Sequence, residues 1–229
     1  IPESVTSIGG NAFYNCSSLT SITLPEGLTT IGKSAFSGCS SLTSITIPKG
    51  VTEIGQTAFS DCSSLTSITL PEGVTEIGKS AFNGCSGLTS ITIPESVTSI
   101  GDYAFYECSS LTSITSMNAT PPSNVGDYPF DGVDKSIPVY VPKQSVEAYK
   151  SAEYWKDFTN IQGIDDTPIS DVVADSVSIR LIGNSLIVEG AESYVVYALS
   201  GQCLGKVESL ERGVYIVVAD GVSKKIVVK

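Results

Sequence analysis

The stretch LTSITLPEGLTTIGKSAFSGCSS, residues 19–41, decides the fold of this chain, because its key positions return every 23 residues. Cysteines lie at positions 16, 39, 62, 85 and 108, and prolines at 2, 25, 48, 71 and 94. Ile-Gly and Ala-Phe pairs keep the same step, from Ile8-Gly9 and Ala12-Phe13 onward. A fixed period of this length is typical of solenoids. The sequence therefore predicts five regular coils over residues 1–115.

Each coil combines two kinds of periodicity. In residues 19–41, Ile22 and Leu24 alternate with polar residues, which predicts a short strand with one buried face. The turn residues 25–27 end this strand, and a second short extended segment begins at Leu28 and ends at Gly32. Three- and four-residue spacing then predicts a short helical turn, carried by Ala35, Phe36, Cys39 and Leu42. Stacking of such coils buries their apolar edges as continuous ladders.

The pattern L-x-x-I-x-L-P, followed by V-x-x-I-G-x-x-A-F-x-x-C, resembles the BspA-like branch of the leucine-rich repeats, a family of bacterial surface proteins. The resemblance covers the five coils of residues 1–115. It implies a leucine-rich-repeat solenoid at the cell surface. The Asn or Cys that usually follows the strand is replaced by Gly27, Gly50, Gly73, Ser4 and Ser96, so no asparagine ladder is expected there.

The regular coils are followed by a degenerate sixth coil at residues 116–142 and a helical cap at residues 143–163. Residues 125–130 repeat residues 100–105 at a step of 25, which predicts a two-residue insertion near Thr120-Pro121-Pro122. Ser145 is predicted as an N-cap or first-turn residue of a helix with Val146, Tyr149 and Ala152 on one face. We expect Trp155, Phe158 and Ile161 to cover the open end of the solenoid.

The remainder of the chain is predicted to be a separate module. The acidic residues 164–175 read as a linker, and residues 176–229 as a small all-β, sandwich-like domain. The predicted strands are Val177–Ile182, Leu186–Val188, Tyr194–Leu199, Val214–Ala219 and Lys225–Val228. The stretch YVVYALSGQCLGKVESLERGVYIVVADGVSKKIVVK resembles the C-terminal sorting domain of secreted Bacteroidetes proteins. That resemblance implies export and surface retention, and the alternative is a generic β module.

Composition excludes several function classes. Thirteen basic against 24 acidic residues leave a net charge of −11, which argues against nucleic acid and anionic membrane surfaces as partners. The absence of histidine removes Ser-His-Asp and Cys-His catalysis and histidine zinc sites. No apolar run approaches the length of a membrane span, so direct membrane insertion is not expected. The chain opens at Ile1 within a repeat, which favours a trimmed or mature fragment.

The repeat cysteines allow three interpretations. A metal site needs clustered ligands, and a step of 23 residues lines the thiols up instead. Disulfides between neighbouring coils are conceivable, but in-register side chains present the required torsion poorly. The favoured interpretation is an internal ladder of buried, unreactive thiols. Cys203, in the C-terminal module, is expected to be a partly buried free thiol.

Other polar features are weaker candidates. Asp127, Asp131 and Asp134 lack the spacing of a calcium loop and are expected in turns. Hydroxyl residues such as Thr23 and its equivalents predict a flat, uncharged face, either a binding surface or simply a stable exposed ladder. Variation between coils concentrates after the Ile-Gly and Ala-Phe pairs, where Tyr14, Tyr103 and Tyr106 are candidate contact aromatics. Asp175-Ser176-Val177 resembles a short O-glycosylation motif of Bacteroidetes.

These features predict a non-enzymatic, exported surface protein that recognises an extracellular protein or glycan, host matrix being one candidate. We expect no cofactor and no metal, no catalytic residue, and a monomer located extracellularly or on the outer cell surface. The binding residues are not identified by the sequence. Two alternatives remain open: a structural spacer that presents an N-terminal region, and the non-catalytic part of a larger secreted enzyme.

Overall fold

The protein is described by a computed structural model. It describes residues 1–164 in full and, beyond them, the backbone of the strands within residues 172–228. The segments outside the described residues are 165–171, 175–176, 183–184, 190–193, 199–202, 206–212, 220–221 and 229. The chain divides into two compact units, Ile1–Gly163 and Ile164–Lys229.

The first unit is a solenoid of about seven coils built from short parallel strands. In chain order these are β1 (Ser7–Ile8), β2 (Thr30–Ile31), β3 (Ser44–Thr46), β4 (Glu53–Ile54), β5 (Ser67–Thr69), β6 (Glu76–Ile77), β7 (Ser90–Ile93), β8 (Ser99–Ile100), β9 (Ser113–Ser116), β10 (Asn124–Val125), β11 (Pro138–Pro142) and β12 (Asn160–Ile164). One sheet has the order β1-β2-β4-β6-β8-β10, and the other strands form the sheets β3-β5 and β7-β9-β11-β12.

The register of these sheets follows the sequence repeat. Ser44 pairs with Ser67, one period of 23 residues along the chain. Later, Val139 pairs with Ile114, and Val125 with Ile100, at a step of 25 residues. The predicted sixth coil and its two-residue insertion are therefore confirmed. The strand predicted at Ile22 and Leu24 is not formed in that coil, although Leu24 is buried.

The segment predicted as a helical turn is a series of β-turns instead. Along residues 34–39, alternate backbone N–H groups donate to the next coil and within their own coil. Ser34, Phe36 and Gly38 donate to the carbonyl groups of Gln56, Ala58 and Ser60, each at 2.8 Å. Ala35, Ser37 and Cys39 donate to Gly32, Ser34 and Phe36, at 3.2, 3.3 and 3.1 Å. A helix would keep all these bonds within one coil, so the prediction was wrong because stacking supplies intercoil acceptors.

The core of the solenoid is a set of stacked side-chain ladders. Six phenylalanines, Phe13, Phe36, Phe59, Phe82, Phe105 and Phe130, stack in order with ring centroids 5.1–5.6 Å apart. The Ile-Gly pairs explain how coils approach so closely. A methyl group at Gly78 would lie 2.7 Å from the Ile54 carbonyl oxygen, so only glycine fits there.

Residues 143–164 differ from the predicted helical cap. A 3₁₀ turn (Lys143–Ser145) leads into a single short helix, α1 (Val146–Ser151), and β12 then extends the sheet beside β11. The segment thus adds a further coil, because the edge of β11 offers pairing to the chain that returns along it. The Ser145 hydroxyl donates no cap bond to α1 and instead hydrogen-bonds the Ala119 carbonyl, 2.5 Å away.

Aromatic side chains pack the last coil onto the core. The Trp155 ring lies 5.0 Å from Phe130 and 5.0 Å from Tyr149, and Phe158 meets Phe130 at 5.5 Å. Trp155 is completely buried, whereas Ile161 is half-buried. Within residues 1–164, the Trp155 indole Nε1 is a buried donor without a hydrogen-bond partner.

A buried polar network joins α1 to the sixth coil. The Asn118 amide donates to the carbonyl groups of Glu95 and Val97, at 2.8 and 2.7 Å. The Ser116 hydroxyl hydrogen-bonds the Asn118 side-chain oxygen at 3.1 Å and the Tyr149 hydroxyl at 2.7 Å. A single buried asparagine therefore ties successive coils together at a position where the regular coils carry a charged residue.

The second unit contains antiparallel strands: β13 (Val172–Ala174), β14 (Val177–Ile182), β15 (Ser185–Glu189), β16 (Tyr194–Ala198), β17 (Cys203–Gly205), β18 (Gly213–Ala219) and β19 (Val222–Val228). They form the sheets β13-β14-β15 and β17-β16-β18-β19. Val172–Ala174 was predicted as linker and instead pairs with β14. The intervening turns and Leu199 lie outside the described residues, and a sandwich of the two sheets stays a prediction.

Candidate functional site: the turn face of the solenoid

Four of the five repeat cysteines form the predicted internal ladder. Cys39, Cys62, Cys85 and Cys108 are buried free thiols, whereas Cys16 in the first coil is exposed. Each buried Sγ donates to a phenylalanine carbonyl of the preceding coil, as from Cys62 to Phe36 at 3.2 Å. Burial raises the pKa of Cys62 and of Cys108 to about 12. The thiols therefore stay protonated, which makes them structural groups rather than nucleophiles.

Threonine hydroxyls along the strands are used by the fold. Thr43, Thr66, Thr89 and Thr112 each donate to the carbonyl of the threonine 23 residues earlier, at 3.0–3.3 Å. The column equivalent to Thr23 was expected to face outward. Thr46 does so, but Thr92 is half-buried and Thr115 is buried. These observations favour the interpretation of the hydroxyl face as a stable exposed ladder.

The acidic loop of the sixth coil is held by local bonds. Asp134 accepts hydrogen bonds from the backbone N–H and the hydroxyl of Ser136, both at 2.8 Å, and these bonds lower the pKa of the Asp134 carboxyl. This is the turn role that the sequence predicts. Within the described residues, no group of three or more His, Cys, Asp or Glu side chains is arranged to hold a metal ion.

The turn segments present one continuous surface, which we call the turn face: residues 32–39 and their equivalents in the other coils. Each coil has two residues with positive φ at fixed positions there. The first position is held by Asn11, Ser34, Thr57, Ser80, Tyr103 and Tyr128, with φ between 53° and 60°. The second is held by Asn15, Gly38, Asp61, Gly84, Glu107 and Gly132, with φ between 55° and 80°. The backbone is thus constant while the side chains vary.

Three tyrosines meet on the turn face of the fifth and sixth coils. The Tyr103 and Tyr128 rings stack with centroids 5.7 Å apart and planes 18° apart. The Tyr106 ring meets Tyr103 edge-on at 5.7 Å. Tyr128 is 52% exposed. We call Tyr103, Tyr106 and Tyr128 the tyrosine cluster.

Charged groups border the tyrosine cluster. Lys79 Nζ lies 3.0 Å from Asp102 Oδ2 and 5.9 Å from the centroid of the Tyr103 ring. The Asp102 carboxylate raises the pKa of Lys79, and the Lys79 ammonium and the Asp127 backbone N–H lower the pKa of Asp102. On the next coil, the Tyr154 hydroxyl donates to Asp127 Oδ1 at 3.1 Å. The cluster therefore combines aromatic surface with carboxylates.

A groove lies beside this cluster, between the insertion of the sixth coil and α1. Its volume is about 350 Å³, and its lining includes Pro122, Val125, Ala148, Ala152 and Tyr154. The lining is mixed apolar and polar.

The structure brings together two of the three predicted contact aromatics. Tyr103 and Tyr106 belong to the tyrosine cluster, whereas Tyr14 is 54% exposed on the first coil. The contribution of Tyr128 was missed, although the step of 25 that equates residues 125–130 with 100–105 already places Tyr128 over Tyr103. Ser176 lies outside the described residues, as do the side chains of Asp175, Val177 and Cys203.

Comparison with known proteins defines the class to which this solenoid belongs. Residues 1–112 and 75–165 match the model of the BspA type leucine rich repeat region, with six copies. The chain belongs to the BspA-type leucine-rich repeat family. In the part of the chain that the structure describes, no helix is long and apolar enough to cross a membrane.

Solved structures agree with this assignment. The leucine-rich repeat protein TpLRR of T. pallidum is 26% identical, with a TM-score of 0.52 over 64% of this chain and 71% of that one. A leucine-rich cell surface protein of Faecalibacterium prausnitzii is 32% identical over 64% of this chain and 55% of that one, with a TM-score of 0.45. A Bacteroides ovatus leucine-rich repeat protein is 26% identical over 72% and 55%, with a TM-score of 0.45. No curated protein sequence matches the chain significantly.

Proposed function

We propose that this chain is the binding region of an exported bacterial surface protein, which recognises an extracellular protein or glycan without catalysis. The observation that carries the proposal is the turn face, where a constant backbone displays side chains that differ from coil to coil. Its hydrogen bonds run both within and between coils, so it presents those side chains on a rigid support. Rigid, extended surfaces of this kind suit recognition of large partners.

Two further roles belong to this proposal. The last coil, with Trp155 and Phe158 against Phe130, closes the solenoid core against solvent. Residues 176–229 act after export, retaining the protein at the outer surface as the resemblance of this segment to sorting domains implies. Both roles are independent of which ligand is bound.

A spacer is the second candidate function, and the composition of the middle coils favours it. The first left-handed position holds only the small residues Ser34, Thr57 and Ser80 in the second, third and fourth coils. Such near-identical coils lengthen a solenoid without adding distinct contacts. Under this alternative, the solenoid holds another part of the same protein away from the cell.

A binding screen tests the two candidates. The purified chain is passed over arrays of extracellular-matrix proteins and glycans at physiological salt, beside a variant whose exposed turn-face side chains are changed to serine. We expect a saturable ligand for the native chain and its loss in the variant. Equal signals for the two proteins, or no saturable signal on either array, would contradict the binding proposal and favour the spacer.

A further inference from the structure

We propose that the tyrosine cluster, with the carboxylates of Asp127 and Asp131 beside it, is the docking surface for a positively charged segment of a partner protein. The inference rests on the proposed binding function, because it names the place and the chemistry of that binding. Arginine side chains, with lysine as the weaker alternative, are the groups that this surface would hold.

The first argument is the conformation of the tyrosines. Tyr103 and Tyr128 have φ values of 57° and 53°, a left-handed region that bulky side chains rarely adopt. At the same position the first coil carries Asn11, a residue that tolerates this region better. Burial does not offset the conformational cost at Tyr128, since 52% of that residue is exposed. Fold stability therefore does not account for the choice of tyrosine, whereas contact with a partner does.

The second argument is a cation that the molecule already places on the cluster. Lys79 lies over the Tyr103 ring while its ammonium is paired with Asp102, so one aromatic ring and one carboxylate together hold one positive charge. The Asp-Tyr pair recurs one coil later as Asp127-Tyr128. There the residue that corresponds to Lys79 is Asp102, an acid. The second pair thus has the same anionic and aromatic groups, with its preceding-coil cation replaced by an anion.

The third argument is local charge. Asp131 and Glu107 are exposed and lie on adjacent coils, joined by the Glu107 N–H to the Asp131 carbonyl at 2.8 Å. Tyr106 immediately precedes Glu107, so the carboxylates border the aromatic rings on this side as Asp127 does on the other. The whole chain carries a net charge of −11. A cationic segment is attracted by these carboxylates and gains cation–π contacts with the tyrosines, whereas a neutral sugar needs only the rings.

Fluorescence anisotropy with the full chain tests this inference. The probes are two labelled peptides of equal length, one alternating arginine and glycine and the other alternating glutamate and glycine. The double variant Y103S/Y128S removes both stacked rings and installs the residue that Ser34 and Ser80 place at the same position in other coils. Y14S is the matched control, because Tyr14 is comparably exposed at 54% but lies outside the cluster. Circular dichroism verifies that both variants fold.

We expect saturable binding of the arginine peptide, about tenfold weaker in Y103S/Y128S and unchanged in Y14S, and no binding of the glutamate peptide. Asp127→Asn with Asp131→Asn should also weaken binding, and added salt should weaken it for the native chain. Failure of the arginine peptide to bind, or equal loss in Y14S, would overturn the inference.

The same variants separate this inference from the proposed function. An extracellular ligand from the array whose binding is unaffected by Y103S/Y128S would overturn the docking surface and leave the binding function standing. Cluster-dependent binding of a neutral glycan, without arginine-peptide binding, would do the same. Cluster-dependent binding of the arginine peptide with no ligand on the arrays would support the docking surface while contradicting the screen's proposal.

Discussion

At the scale of single residues, the distance between coils is set by positions that tolerate no side chain. The glycine after each repeated isoleucine lies against the backbone of the previous coil, as Gly55 lies against Ile31 and Gly78 against Ile54. Gly9 occupies the same motif position on the first coil, where a methyl group would have nothing within 4 Å. The repeat therefore contains both a constrained glycine and its unconstrained equivalent.

Gly78→Ala should destabilise the protein by about 1–3 kcal/mol, because the added methyl group forces neighbouring coils apart. Gly9→Ala meets no atom and should leave the free energy of unfolding unchanged or raise it by about 0.4–1 kcal/mol, since alanine restricts the unfolded chain. Guanidinium unfolding curves of both variants measure the difference. Equal free energies of unfolding for the two variants would show that coil contact does not select the glycine.

At the scale of elements, the turn segments replace the expected helical turn because each coil is both donor and acceptor for its neighbours. Spacing of apolar residues alone is compatible with a helix or with this chain of β-turns. The alternation of N–H groups between intracoil and intercoil acceptors depends on the stacked neighbour. The cysteine ladder belongs to this element, since each buried Sγ donates to the carbonyl of a phenylalanine in the preceding coil.

Alkaline pH should destabilise the solenoid through this thiol ladder. Unfolded thiols ionise near pH 9, whereas burial raises the pKa of Cys62 and Cys108 to about 12. The raised folded-state pKa means that the stabilisation is complete below about pH 9 and is lost as the pH rises toward about 12.

Cys62→Ala supplies the comparison for this pH dependence. The variant should be less stable at pH 7, because it loses a buried side chain and its bond to Phe36. Its free energy of unfolding should then fall less steeply above pH 9, by about 1 kcal/mol per pH unit. Urea unfolding at a series of pH values measures both slopes, and other titrating groups are common to the two proteins. Parallel slopes would contradict the assigned cause.

At the scale of the whole molecule, the hydrophobic cluster that includes Phe36, Phe82 and Trp155 is described entirely within residues 5–161. The first unit, Ile1–Gly163, therefore has its own core. Coils in such an array depend on their immediate neighbours, so removing terminal coils exposes the face of the next coil.

A protein of residues 1–165 should fold without the remainder of the chain and melt cooperatively. A shorter protein of residues 1–115 removes the contacts of Phe130 and Val139 with Phe105 and Ile114, and it should melt at a lower temperature. Circular dichroism during heating compares the two. A non-cooperative transition in residues 1–165, or equal melting temperatures, would show that the last coils contribute no stability.

The sequence by itself determined the repeat architecture, because identical residues at a step of 23 must occupy equivalent positions in stacked coils. It also determined the register of the sixth coil and the ladders of Phe82 and Cys85, since apolar residues at fixed positions can be buried only together. Only the tertiary structure decided the β-turns, because their acceptors lie on another coil. It also decided the bonds of Asn118 and the tyrosine cluster. Those depend on how close residues 23 to 31 positions apart come in space, which local periodicity does not specify.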